Sequence, residues 1–166
     1  DIFDIISAYE ADGYEIAAVV FDYLSMISKK GCVGQGGGEI RDLFRRVRNF
    51  TSPRQIAFIT PHQLSPDAKM ILRQSPDNFV KEIVGKGYWD GCKGIDQEVD
   101  LELIIHIEII GGVSYQVIGR GKHRKVGITP EEHLFTYLPF AKVGGLIPDI
   151  KREDRSLKTL KGVGND

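Results

Sequence analysis

The chain has 166 residues, of which 42% are hydrophobic and 27% charged. This suits one domain with its own core and excludes a disordered chain. The 22 basic and 23 acidic side chains nearly cancel, which excludes a wholly basic coat for nucleic acid but leaves room for a local basic patch.

The opening residues Phe3, Ile5, Ile6 and Tyr9 have helical spacing, and Gly13 is a natural stop. A helix already under way at the first residue is expected of a piece cut from a longer protein. Residues 16–21 form a continuous apolar run ending at Asp22, the pattern of a strand buried on both faces in a parallel sheet. Five glycines between 31 and 38 make a flexible loop. In residues 39–50, Ile40, Leu43, Phe44 and Val47 share one face of a predicted helix, with Arg41, Arg45, Arg46 and Arg48 on the other. The plain reading of that basic face is a solvated surface braced by Glu39 and Asp42. A second buried strand is predicted over 55–60, and short helices over 67–73 and 77–84. Strands follow at 101–109 and 113–118, joined by Gly111-Gly112, a tight-turn signal. A last strand is predicted over 134–140. Strand–helix–strand at the start and a hairpin later make the class α/β, with a mixed, mostly parallel sheet that ends in antiparallel strands.

Four short stretches carry candidate chemistry. Asp22 ends an apolar strand, and the C-terminal edge of such strands is where open α/β sheets bind ligands. A turn following the strand explains the same aspartate equally well. Gln63 follows the neighbouring strand, and an amide that both donates and accepts suits sensing a phosphate or orienting water. A helix cap is the plainer alternative. Residues 119–125 (GRGKHRK) are the densest basic stretch. Lys122 and Arg124 alternate, so an extended backbone turns both toward one anion; a solvated basic loop is the alternative. Residues 94–100 (GIDQEVD) read alone as a polar turn. The two cysteines, Cys32 and Cys92, are too few for a four-thiolate zinc site and suit a reducing compartment. The histidines share no metal-ligand spacing, and His106 reads as a core histidine. No run is long and apolar enough to suggest a membrane span, and no signal peptide is apparent.

Taken together, these stretches resemble the second half of the RecA-like motor domain of DnaB-type replicative helicases. Residues 19–26 (VVFDYLSM) are similar to its Walker B strand, residues 59–65 (ITPHQLS) to its glutamine sensor, residues 94–103 (GIDQEVDLEL) to its Ile-Glu-Gln segment, and residues 121–124 (GKHR) to its Lys-x-Arg motif. The resemblance spans about residues 5–140. It implies a partial RecA-like P-loop NTPase domain over residues 1–148; residues 149–166, mixed in charge and poor in apolar side chains, are expected to form a tail. The resemblance also implies that Asp22 supports a magnesium ion and that Gln63 senses the γ-phosphate of ATP. Lys122 and Arg124 would then reach the nucleotide of an adjacent subunit in a homo-hexamer. Single-stranded DNA would be the track, a primase or helicase loader a further partner, and the cytoplasm of a bacterium or phage-infected cell the setting, with no membrane involved.

Two departures qualify the resemblance. No Gly-x4-Gly-Lys-Ser/Thr loop occurs in the 166 residues, so ATP hydrolysis is expected of a longer protein rather than of this stretch alone. Where the family has an Arg-Glu pair before its Ile-Glu-Gln segment, this chain has Asp90 and Gly91. Lys93, with Lys69, Arg73 and Lys86 upstream, is the candidate set of DNA phosphate contacts, against the alternative of a solvated helical face. Trp89 and Tyr88 are candidates to stack on bases or to pack beneath the loop. The second function class is a non-catalytic RecA-like module that binds DNA or a helicase partner, and a recombinase-type ATPase is a third.

Overall fold

The computed structural model describes residues 1–124, 127, 130 and 133–140. The chain divides into two compact units, Asp1–Leu64 with Trp89–Val99, and Ser65–Tyr88 with the segment from Asp100 onward.

The first unit opens with α1 (Ile2–Ala11). The Asp1 carboxylate accepts hydrogen bonds from the Phe3 and Asp4 N–H groups at 2.7 and 3.2 Å, and Asp4 reaches back to complete a capping box. Phe3 stacks on Phe50 with ring centroids 4.4 Å apart. Strand β1 (Ala18–Val20) leads through a loop and a 3-10 turn at Leu24–Met26 to α2 (Gly38–Thr51), and β2 (Ala57–Ile59) then pairs with β1 in parallel, Val19 opposite Phe58. The amphipathic reading of α2 holds: Ile40, Leu43, Phe44 and Val47 are buried with Leu24 and Ile95 in one cluster. A strand–helix–strand unit of this kind needs a crossover element to bring its strands parallel, and α2 supplies it.

The helix start is tightly built. Gly37 caps α2 with φ +92°, and a Cβ there would overlap the Gly91 carbonyl oxygen. The glycine-rich loop is therefore a close backbone approach at its end rather than a loose connection. The arginine face is also more structured than a solvated surface. Asp42 is buried, and its carboxylate pairs with Arg45, with Arg46 at 2.8 Å and with the Val33 N–H at 3.2 Å. Arg41 reaches Glu98, also buried, at 2.7 Å.

The second unit contains α3 (Pro66–Gln74), α4 (Phe79–Ile83) and an antiparallel sheet of β3 (Leu101–Ile110), β4 (Val113–His123) and β5 (Phe135–Pro139) in that order. Gly111 and Gly112, at φ +57° and +81°, make the two-residue turn between β3 and β4, as the glycine pair predicts. One face of the sheet carries Ile104, Val117 and Tyr137, all buried, and packs with the buried Phe79, Val80 and Ile83 of α4. A Cβ at Gly119 would strike Val80.

Three expectations need correction. Parallel and antiparallel pairing fall in two separate sheets among the described residues, not in one mixed sheet. The run at 16–21 yields only a three-residue strand with Val20 75% exposed, because β1 has one strand neighbour among the described residues. Strand β4 runs to His123 instead of Ile118, so most of the basic stretch is strand rather than loop: long pairing with β3 overrides the glycines at 119 and 121. The tail at 149–166 and Lys125 lie outside the described residues.

Candidate functional site

In the first unit the parallel pair β1–β2 brings its C-terminal edge to one place. The Phe21 N–H donates to the Ile59 carbonyl at 2.9 Å, extending the ladder by one bond past β1. Asp22 and Gln63 both follow at this edge and are exposed. The Leu24 N–H donates to Thr60 Oγ1 at 2.9 Å, tying the turn after Asp22 to the end of β2. Gln63 Nε2 lies 3.5 Å from Tyr23 Oη, the residue next to Asp22. Two candidates drawn from separate stretches of sequence therefore share one sheet edge. Thr60 and Tyr23 join them; the hydroxyl of Thr60 lies at a strand end, and only the parallel register gives it meaning.

The Gln63 backbone is bonded onward. Its carbonyl accepts the Asp90 N–H at 2.9 Å, and Leu64 forms an antiparallel bridge with Trp89. His62 Nε2 lies 2.8 Å from the Asp90 carbonyl oxygen, with its ring edge-on to Phe44 and Trp89. The Trp89 ring packs against the α2 cluster, which fits the packing alternative better than base stacking. This segment continues into a 3-10 helix at Lys93–Gln97, where Lys93 is exposed. The strand edge that carries Gln63 and the loop that carries Lys93 are thus joined by backbone hydrogen bonds.

Lys69, Arg73 and Lys86 belong to the second unit and are exposed. Lys86 Nζ lies 3.6 Å from Glu82 one helical turn back. Lys122 and Arg124 are in the second unit as well. Lys122 sits near the end of β4, and Arg124 is the turn residue after it. Between the pairs Leu101–His123 and Leu103–Arg120 the register shifts, so β4 carries one more residue than β3. Gly121 and Lys122 form this bulge opposite Glu102, a device that re-aims side chains near functional sites. Glu102 is buried, and its carboxylate accepts the Lys122 N–H at 3.0 Å. It also lies against the Gly121 Cα, where a Cβ would overlap it. Arg124 Nε donates to Asp100 Oδ1 at 2.7 Å, and the Arg124 N–H donates to the Asp100 carbonyl at 2.9 Å.

Ionisation follows burial and partners. The Val33 N–H, with Arg45 and Arg46, holds the Asp42 carboxyl below the usual carboxylate range against an opposing cost of burial. Burial pushes the Glu108 carboxyl up and the His106 imidazolium down. His106 packs against Phe79 at 4.8 Å between centroids, which is the core role its position in a strand suggests.

The residues present fit a magnesium ion held mainly by phosphate and water. Asp22 is an exposed carboxylate at a strand end, an oxygen donor of the kind magnesium takes. Magnesium commonly takes one or two carboxylates plus phosphate oxygens and keeps its other waters. No helix among the described residues is long and apolar enough to cross a membrane. No curated protein matches the sequence. The family model for the divergent DnaB-like ATPases matches residues 1–165. With nearly the whole chain covered, and with an α/β fold that sets an aspartate and a glutamine at one parallel-strand edge, this chain belongs to the divergent DnaB-like ATPase family.

Proposed function

We propose that the chain is the C-terminal part of an ATP-driven motor that translocates on single-stranded DNA as a homo-hexameric ring. The observation that carries this reading is the continuous backbone path from the Asp22–Gln63 edge, through the bonds of Gln63 and Leu64 to Asp90 and Trp89, to Lys93. A nucleotide at the edge and a DNA phosphate at Lys93 would each bias the same short ladder.

Asp22 is the residue that would support Mg2+, through its water shell, and Gln63 the one that reads the γ-phosphate. Bound Mg2+ neutralises charge on the phosphate oxygens. Lys122 and Arg124 act in trans on the nucleotide of the neighbouring subunit. Lys93, with Lys69, Arg73 and Lys86, contacts the phosphate backbone of DNA, so DNA affinity falls steeply with salt. A primase or helicase loader is the protein partner proposed for the ring.

The test is ATP hydrolysis by the native polypeptide with and without single-stranded DNA. Gln63→Ala should leave hydrolysis without DNA within a few-fold of wild type and abolish its stimulation by DNA. Stimulation that persists undiminished in this variant would contradict the coupling role. A native protein that binds single-stranded DNA but neither binds nor hydrolyses ATP would instead support a non-catalytic module.

A further inference from the structure

We propose that Asp100 is a positioning residue for Arg124, setting the direction in which the guanidinium leaves the end of β4; this rests on the trans role given to Arg124 above. The contact is doubled. Asp100 accepts Arg124 twice, through its backbone carbonyl at 2.9 Å and its carboxylate at 2.7 Å. The carboxylate takes the Nε edge of the guanidinium, so the planar group is fixed about its stem as well as placed.

The neighbouring geometry has the same purpose. Glu102, two residues along the chain from Asp100, is a buried carboxylate that accepts the Lys122 N–H at 3.0 Å. It sits against Gly121 where any side chain would overlap it. The bulge thus locks the backbone of Lys122, and Asp100 then fixes Arg124 two residues further on. Acids at 100 and 102 thus hold the chain at 122 and 124, Glu102 through the Lys122 backbone and Asp100 through both backbone and side chain of Arg124.

Stability alone does not account for the outer pair. The side chains of Asp100 and Arg124 are 57% and 37% exposed, and ion pairs at such sites contribute little to folding. Orientation is where a contact of this kind has leverage, because a guanidinium that stabilises a transferring phosphoryl group acts only when correctly aimed.

The experiment is steady-state ATP hydrolysis by the native, assembled polypeptide carrying Asp100→Ala, Arg124→Ala or both, with thermal denaturation of each variant. Asp100→Ala is expected to lower kcat by about tenfold or more, to leave KM for ATP within about twofold, and to shift Tm by no more than about 2 °C, as a lost exposed pair should. The double variant is expected to match Arg124→Ala, since a residue that acts through Arg124 has nothing left to position. Asp100→Asn, which keeps the acceptor oxygen, is expected to recover most of kcat and serves where the alanine variant folds poorly. A kcat unchanged in Asp100→Ala while Arg124→Ala is inactive would overturn the inference and leave the trans role standing. A double variant slower than Arg124→Ala by the full Asp100→Ala factor would also overturn it. Full activity in Arg124→Ala would overturn the trans role itself, and the inference with it.

Discussion

Glu108 is a buried acid on the inner face of β3, and its carboxylate accepts the Val80 N–H at 2.7 Å, the second residue of α4. That bond caps the start of α4, but burying the charge costs more than the bond returns, so the carboxyl is pushed up; the Asp77 charge adds to the rise and Lys81 opposes it. The folded state therefore holds this proton more tightly than the unfolded chain. The associated stability is fully present below the ordinary value of about 4.5 and is lost as pH rises through the raised one. Glu108→Gln keeps an acceptor for Val80 and removes the charge. It should be more stable than wild type at pH 7, with the gap closing as pH falls toward 4.5. Urea denaturation of both proteins across that range checks this, and a gap that widens in acid would refute it. Asp42 and His106 work in the opposite sense. A carboxyl held low and an imidazole held neutral both lose stability as pH falls, which is why the difference between Glu108→Gln and wild type isolates the effect and the wild-type curve alone does not. None of these buried acids was legible in the sequence. Glu102 and Glu108 occupy the inward positions of a strand whose outward positions are Leu101, Leu103, Ile105, Ile107 and Ile109, the reverse of the usual pattern, and alternation alone points them to solvent.

Among the elements, α2 was the most legible because its apolar and basic residues separate cleanly at the 3.6-residue period. Its start was not. The glycines before it look like slack, yet Gly37 sits at positive φ with the Gly91 carbonyl where a side chain would go. That approach brings α2 beside the loop leading to Lys93. Gly37→Ala should cost about 2–3 kcal/mol, combining backbone strain with a steric overlap that must be relieved. Chemical denaturation of the purified variant measures it, and a loss under about 0.5 kcal/mol would mean that the loop is as free as its composition suggests. Strand lengths depart from what composition suggests in both directions. The end of β4 looked like a loop because glycine and basic residues are poor strand formers. It is held in the sheet by its partner β3 and by the Glu102 carboxylate behind the bulge. Strand β1 looked longer than it is because apolar character marks burial, and pairing decides where a strand ends.

For the whole molecule, the α/β class and the order of elements were readable from periodicity and turn residues, and the placing of Asp22 and Gln63 at one sheet edge follows once two consecutive strands are parallel. The division into two sheets was not readable, since which strands pair is set by contacts distant in sequence. The outward row of β3 is apolar, with Ile105 55% and Ile109 56% exposed. The chain belongs to the divergent DnaB-like ATPases, and the proposal is that the shared edge of β1 and β2 links chemistry to DNA contact. The most direct measurement is ATP hydrolysis by the native polypeptide, wild type against Asp22→Asn, with and without single-stranded DNA. The account predicts DNA-stimulated hydrolysis in wild type and a loss of about a hundredfold or more in Asp22→Asn, with the fold intact by circular dichroism. Hydrolysis at the wild-type rate in a folded Asp22→Asn protein would contradict it.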